Sequence, residues 1–311
     1  MIYTPIFRRE LDLGEFQPNS NGSVFVALGN FDGVHRGHME LLNAARRGAR
    51  LTGAHHSAVF TFHQGKAPAI TTVKQRFPLF SEAGIREMFV ADFYELCDQT
   101  PEEFVFKTLR AIGAVGVCCG FNFRFGKNAA GDVNTLQTLC QAAGMACTVV
   151  PAFTLDGEIV SSTRIRGYLQ AGEMEAAAKL LGRPWALADQ VEMGRRVGGS
   201  VLSTPTINLP VDPSRQLPPY GVYFTQTRIN ETIYPSITNL GIRPTFGESE
   251  ILCETHLLGA DGCFYGKDAT VEFLKFHRPE QKFSSPEELA KVIAEDIRSA
   301  NDFFERRQAN A

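Results

Sequence analysis

The chain has 311 residues, enough for two domains that each bury a core of their own. Apolar residues make up 44% and charged residues 21%; the net charge is −3 with no basic block, which excludes a general nucleic-acid binder. No apolar run reaches the length of a membrane span, the N-terminus lacks a signal-peptide core, and the seven cysteines (97, 118, 119, 140, 147, 253, 263) form no C-x-x-C pair, so the expectation is a reduced, cytoplasmic protein without structural zinc.

Val24 to Leu28 is an unbroken apolar run and predicts a buried strand. It breaks at Gly29-Asn30-Phe31-Asp32-Gly33, and His35, Gly37 and His38 follow. Next comes a segment with Leu41, Leu42, Ala45 and Ala49 on one face and Glu40, Arg46 and Arg47 elsewhere, which predicts a helix closed by Gly53 in a left-handed cap. A pair of histidines thus sits where a strand hands over to a helix N-terminus, whose unpaired N–H groups and dipole attract anions. Gly33 and Gly37 let a phosphate approach the main chain. Ser57–Phe62 predicts a second strand, residues 73–84 a helix, and Glu87–Val90 a third strand. Residues 101–112 predict a helix capped by Thr100, with Pro101 first and Glu103 third. Ala114–Cys119 and Met145–Val150 predict strands on either side of a helix over Val133–Ala143. This alternation implies right-handed βαβ units and a parallel sheet, with ligands beyond the carboxyl ends of the strands. That places 29–38, 62–64 and 120–126 on one rim.

In Gly120-Phe121-Asn122-Phe123-Arg124-Phe125-Gly126 aromatic and polar residues alternate. Such a loop is either a strand extension with buried aromatics or a site for a flat heterocycle and phosphates. Ser161-Ser162-Thr163-Arg164-Ile165-Arg166 leads into a helix through Tyr168 and Leu169. A serine caps it, and arginines in its first turn oppose the dipole, which points to an anionic ligand. A helix over Met174–Leu181 ends at Gly182-Arg183-Pro184, where the boundary between domains 1–183 and 184–311 is placed.

From Trp185 the pattern changes. Runs of β-formers at Ala188–Met193, Tyr220–Gln226, Thr232–Asn239, Ile251–Leu258 and Ala269–Phe276 alternate with turns and predict a small antiparallel barrel. A last helix runs from Pro286 through Phe304, with Ser285 and Glu288 as its capping box. Gly194–Gly199 is rich in glycine and arginine. Thr206 and Asn208 face the same way on an extended segment and could offer oxygens to Mg²⁺. On a strand, Glu254 shares a face with Leu252 and His256, opposite Cys253, Thr255 and Leu257.

The stretch Gly29–His38, with His35-Arg36-Gly37-His38 as its HxGH motif, resembles the signature of the bacterial bifunctional riboflavin kinase/FMN adenylyltransferases (FAD synthetases). Gly120–Gly126 is similar to that family's Gly-x-(Asp/Asn)-Phe-x-Phe-Gly loop, and Ser161–Arg166 to its Ser-Ser-Thr-x-Ile-Arg motif. Further on, Pro205–Asn208 resembles the Pro-Thr-Ala-Asn motif of the flavokinase barrel, Asn239–Phe246 its flavin loop and Cys253–His256 its catalytic-glutamate strand; Phe264–Gly266 and Arg278–Phe283 continue the match. The resemblance implies an α/β nucleotidyltransferase domain with a Rossmann-like parallel sheet. A small antiparallel riboflavin kinase-like β-barrel and a C-terminal helix follow it.

It further implies an enzyme that phosphorylates riboflavin with ATP and then adenylylates FMN to FAD, releasing pyrophosphate. The alternative is a monofunctional FMN adenylyltransferase whose barrel only binds flavin. By this resemblance His35, His38, Arg166 and Glu254 are catalytic, the last as general base of the kinase. Gly29, Asn30, Phe31, Asp32, Gly37, Ser162, Thr163, Gly194, Thr206 and Asn208 contact nucleotide, with Thr206 and Asn208 also on Mg²⁺. Phe62, Asn122, Arg124, Asn239, Arg243, Thr245 and Arg278 contact flavin. The partners implied are riboflavin, FMN and ATP, without nucleic acid or membrane, and the oligomeric state is left open. The chain departs from the family at Ser203, where glycine is usual, at Ile207 for alanine, at Asp189 for a common glycine, and over Thr61–Lys66. These departures leave the efficiency of the kinase half open.

Overall fold

The first sheet grows outward from β2 (Val24–Leu28), all of whose residues are buried. A strand covered on both faces has no wet side, so its sequence is continuously apolar rather than alternating. The computed structural model describes residues 2–6, 23–62, 68–192, 205–244 and 249–309. In it β1 (Ile2–Ile6), β3 (His56–Phe62), β4 (Glu87–Ala91), β5 (Ala114–Gly120) and β6 (Ala146–Val150) join β2 in the order β1-β4-β3-β2-β5-β6. Every pair is parallel, Val26 lying beside Ala58 on one side and Val117 on the other. The edge strand β1 was not predicted. Pro5 weakens its pattern, and an edge is where a sheet tolerates proline.

Helices α1 (Arg36–Thr52) and α2 (Val73–Glu82) share one core with Phe25, Ala27, Val59 and Met88. Phe104, Leu109, Leu136 and Cys140 share the other with Val24, Val26, Leu28 and Phe60. Phe25 fills a slot between Gly48 and Gly116, where an added Cβ would lie 2.3 and 2.5 Å from its ring. Gly53 ends α1 at φ 69° as expected, and the Thr100–Glu103 capping box forms. The helix after that box is not α-helical throughout, however: beyond Pro101–Glu103 it widens into a π-helical stretch, Phe104–Leu109. Apolar periodicity does not register such a widening, which is frequent at functional sites. A small hairpin, β7 (Thr154–Leu155) and β8 (Glu158–Ile159), also escaped prediction, being too short to show a period.

The chain divides into two compact units, residues 1–162 and 163–311. In the second, β9 (Trp185–Gln190), β10 (Thr206–Pro210), β11 (Gly221–Ile229), β12 (Thr232–Pro244), β13 (Ser249–Leu257) and β14 (Asp268–Pro279) form an antiparallel sheet ordered β10-β13-β12-β11-β14-β9. The Glu192 N–H donates to the Asn208 carbonyl at 2.9 Å, so the outermost strands meet and the sheet curls into the expected barrel. β9 starts earlier than predicted because Trp185 and Leu187 are core residues, Trp185 packing edge-on to Phe273. Inside, the hydroxyls of Thr227, Ser236, Thr225, Thr238 and Thr255 are joined in series at 2.8–2.9 Å, and Cys253 Sγ lies 3.9 Å from Thr255. All are fully buried.

The C-terminal helix (Pro286–Ala309) is tied to β14 by Asp296, which accepts from His277 at 3.0 Å and from Arg278 Nη2 at 2.7 Å. Ser285 caps that helix by accepting the Glu288 N–H at 3.2 Å, but the Glu288 carboxylate reaches back to Ser284 rather than Ser285, at 2.8 and 2.6 Å. Among the described residues no helix is long and apolar enough to cross a membrane.

Candidate functional site

From β2 the chain leaves toward β3, while β5 lies on the other side of β2. That reversal opens a crevice at the carboxyl ends of β2 and β5. The loop there is strained: Phe31 (φ 50°) and Val34 (φ 41°) are left-handed, which a β-branched side chain rarely accepts. Strain of about 1–3 kcal/mol per residue persists only where the surroundings fix it. Here the Asp32 carboxylate accepts the N–H groups of Ile70 and Thr71 at 3.1 and 3.0 Å, and Thr71 Oγ1 accepts the Gly33 N–H at 2.8 Å. Ser162 Oγ donates to the Asp32 carbonyl at 2.8 Å. Buried Arg76 donates to the Asn30 carbonyl at 2.9 Å.

His35 is the N-cap of α1, and its cap is reciprocal. His35 Nδ1 accepts the His38 N–H at 3.2 Å, and His38 Nδ1 accepts the His35 N–H at 3.3 Å. The rings stack at 3.6 Å between centroids. Because each Nδ1 is an acceptor, each neutral ring carries its proton on Nε2. Gly37 makes room for this, since a Cβ would sit 3.2 Å from the His35 ring. The Phe31 ring supports His38 from 5.2 Å. The result is a pair of imidazole donors at a helix N-terminus, a donor set suited to phosphate. The helix Ser162–Gln170 buries Ile165 and Leu169 and leaves Arg166 half-buried and Thr163 exposed.

Beside the loop is a cavity of about 610 Å³, lined among others by Leu28, Gly29, Phe62, Phe123, Arg124 and Phe125. Phe62 and Arg124 are thus brought together as predicted, while Asn122 is exposed and outside the lining. The expected alternation over 121–125 is not kept. The Phe123 N–H bonds the Gly120 carbonyl at 3.0 Å and turns the chain, leaving Phe121 exposed while Phe123 and Phe125 stack at 5.7 Å. Residues 96–99, Phe104, Asn128 and Ala129 also line the cavity and went unpredicted. Asparagine tolerates the positive φ of Asn128 (56°), but the same conformation at Ala129 (55°) has no signature in its residue type. Arg76 was missed too, because an arginine in an amphipathic helix reads as solvent-facing.

In the second unit, Thr206 and Asn208 share a face of β10. Asn208 lies opposite Glu254 of β13, and Glu254 lies opposite Asn239 of β12, so the three form one row across three strands. Thr206 lies opposite His256 in the neighbouring row. Of the two expected faces of β13, that of Cys253, Thr255 and Leu257 is buried in the core, and Glu254 is half-buried on the other with Leu252 and His256. Burial pushes the imidazolium of His256 below its usual pKa. A hydroxyl and an amide beside a carboxylate form the all-oxygen donor set that a hard cation such as Mg²⁺ takes. Arg278 is committed elsewhere, its guanidinium bonded to Asp296 and to the Pro279 carbonyl at 3.1 Å. Gly194, Ser203 and Thr245 lie outside the described residues, as do 63–67 and the rest of 194–199; Arg243 is described only as a backbone position opposite Glu250.

Residues 17–164 match the FAD synthetase family and residues 181–304 the riboflavin kinase family. A bifunctional riboflavin kinase/FMN adenylyltransferase of Pseudomonas fluorescens is 33% identical over 298 residues, covering 93% of this chain and 95% of its own. Its counterpart in Bacillus subtilis (strain 168) is 31% identical over 294 residues, covering 90% and 92%. The protein of that name in Escherichia coli (strain K12) is 31% identical over 291 residues, covering 90% and 92%. Among solved structures, one described as a macrolide-efflux protein from Streptococcus pneumoniae superposes with a TM-score of 0.82 at 26% identity, over 97% of this chain and 99% of that one.

Proposed function

This chain belongs to the family of bifunctional riboflavin kinase/FMN adenylyltransferases, and from that premise we propose how its residues divide the chemistry. The enzyme phosphorylates riboflavin with ATP to give FMN, then transfers AMP from ATP to FMN, forming FAD and releasing pyrophosphate. The observation that carries the site assignment is the reciprocal histidine cap beside an aromatic cavity. The ATP α- and β-phosphates sit at the N-terminus of α1, where His35 and His38 donate through Nε2–H. Gly29, Asn30, Phe31, Gly37, Ser162 and Thr163 surround the nucleotide, and Asp32 holds the loop through Ile70 and Thr71. The flavin ring occupies the cavity against Phe62, Phe123 and Phe125, with Arg124 and Asn122 toward the FMN phosphate. An oxygen of that phosphate attacks Pα while the Pα–O–Pβ bond breaks. The nucleophile is already anionic, so no base is needed; alignment and neutralisation of the leaving pyrophosphate, with Arg166, carry the step.

In the barrel, Glu254 takes the proton of the ribityl 5′-hydroxyl as that oxygen attacks the γ-phosphate of ATP. Thr206 and Asn208 would hold the Mg²⁺ that arrives with ATP, whose role is to neutralise charge on the phosphates. Asn239, Arg243 and Thr245 frame the flavin, Gly194 the nucleotide. Arg278 contributes by anchoring the C-terminal helix through Asp296. We place the boundary between the two catalytic domains at 183/184, inside the second compact unit (residues 163–311), and the enzyme in the cytoplasm, where its small-molecule substrates are found. The flavokinase match over 181–304 and the bifunctional relatives support two activities over a barrel that merely binds flavin. Purified protein given riboflavin and MgATP should yield FMN and then FAD. Conversion of added FMN without any phosphorylation of riboflavin would refute the kinase half.

A further inference from the structure

We propose that Arg76 is a positioning residue for adenylyl transfer, its buried guanidinium fixing the phosphate loop where the two histidines need it. The inference rests on the adenylyltransferase reading of the first unit. Arginine in a helix ordinarily sends its head to water, yet Arg76 on α2 is 1% exposed. Its Nη1 donates to the Asn30 carbonyl at 2.9 Å, to the Phe62 carbonyl at 3.3 Å and to Thr61 Oγ1 at 3.2 Å. From the other side of the guanidinium, Nε and Nη2 donate to the Thr71 carbonyl at 3.3 and 3.2 Å. These oxygens belong to separate segments: the loop after β2, the end of β3 and the approach to α2. Thr61 Oγ1 adds a bond of 2.9 Å to the same Asn30 carbonyl.

Every one of those partners is a neutral oxygen. Asp32 acts on Arg76 through space while its carboxylate accepts the Ile70 and Thr71 N–H groups. The Thr71 peptide is therefore gripped at both ends, N–H by Asp32 and C=O by Arg76. A buried cation with neutral partners is expensive, and an apolar residue of similar volume would often stabilise more. What the guanidinium gives in return concerns the rim. It draws the carbonyl oxygens of residues 30, 62 and 71 inward, away from the place where polyphosphate arrives, and adds positive charge beneath it. It also anchors residue 30 directly before the strained Phe31–Val34 turn. Lysine keeps the charge but is a point donor, and cannot grip oxygens on opposite sides as a planar guanidinium does.

The test uses the full chain carrying Arg76→Lys or Arg76→Gln. FAD formation from FMN is followed for kcat and for the KM of ATP, riboflavin phosphorylation is measured in the same preparation, and thermal unfolding is recorded. Arg76→Lys should lower the kcat of FAD formation by about 10–100-fold, the order expected of a small misalignment, with the KM for ATP within about threefold. Arg76→Gln, which also removes the charge, should in addition raise that KM by about tenfold. Phosphorylation of riboflavin should be unchanged in both. A folded Arg76→Lys with kcat within about threefold of wild type would overturn the proposal. So would losses that merely follow the unfolded fraction, or failure of both variants to fold, since the residue would then be structural only. Absence of FAD formation in the wild type would instead refute the underlying enzymatic reading.

Discussion

Replacing His35 by asparagine separates the two tasks of its ring. As N-cap, the ring accepts the His38 N–H at 3.2 Å. Asparagine is among the best N-caps, and its side-chain oxygen can take that bond. As donor, the ring presents Nε2–H on the far side of the imidazole, farther than the shorter amide extends. Losing the cap altogether costs about 0.5–2 kcal/mol of stability, and asparagine should lose only a fraction of it. Losing one preorganised donor at a charge-bearing transition state costs about 2.7–4 kcal/mol, or about 10²–10³-fold in kcat. The two scales are far enough apart to decide. His35→Asn should fold with a Tm within a few degrees of wild type, yet form FAD from FMN about 10²–10³-fold more slowly. His38→Asn should slow FAD formation to the same degree, because it removes the second Nε2–H donor. The assay supplies FMN and MgATP to full-length protein and resolves FAD chromatographically, with riboflavin phosphorylation as internal control. FAD formation within about fivefold of wild type in folded His35→Asn would show that the ring caps a helix and nothing more.

Glu254→Gln keeps the shape of the row with Asn208 and Asn239 but removes the base, so riboflavin phosphorylation should fall by about 10²–10⁴-fold while conversion of added FMN stays within a few-fold. Equal loss of both half-reactions would sink the assignment. Burial depresses the pKa of His256, so between that value and about 6.5 the unfolded chain binds the proton and the folded chain does not. Its contribution to stability is complete above about pH 6.5 and is lost as the pH falls through that window. Urea unfolding of ligand-free protein at neutral and acidic pH should show the loss, His256→Gln should reduce it, and an unaltered pH dependence in the variant would contradict the sign. Thr225→Val leaves the Ser236 hydroxyl without its acceptor, while Ser236 and Thr238 keep their bonds to Thr227 and Thr255, and should destabilise the barrel by about 1–3 kcal/mol in urea denaturation. A change below about 0.5 kcal/mol would mean the neighbours find other partners.

Much of the first unit was readable because its signals are local. Continuous apolar runs mark strands covered on both faces, and Gly53 and Thr100 punctuate helices where they should. His35 and His38 could be placed at a helix N-terminus by spacing alone, but not their mutual cap, which depends on ring orientation. Asn208, Glu254 and Asn239 were each singled out, yet their alignment in one row is a matter of strand register, which no residue encodes by itself. Arg76 and Arg278 show the opposite failure. Arg76 drew no notice and Arg278 was expected to contact flavin, whereas tertiary structure bonds the first to carbonyls and the second to Asp296. The lining of the aromatic cavity by 96–99, Asn128 and Ala129 arises from loops meeting in space, and those loops carry no period to read.

The hydroxyl series inside the barrel limits how this sequence can drift. Each hydroxyl has one hydrogen to give. Ordered from Thr227 through Ser236, Thr225, Thr238 and Thr255 to Cys253 Sγ, each hydrogen has an acceptor in the series; in the reverse order the last hydrogen, on Thr227, has none within it. Burial pushes the Cys253 thiol up to about 12, and Thr255 tempers that shift, as a hydroxyl donating to the sulfur would. An apolar substitution at any rung beyond Thr227 leaves the preceding rung's hydrogen without its acceptor in the series, whether one inner rung or two adjacent ones are replaced. Loss of these hydroxyls is therefore cheapest when it starts at Thr227 and proceeds along the series, and across related sequences positions 225, 227, 236, 238 and 255 should covary as a block although all five are buried in the core.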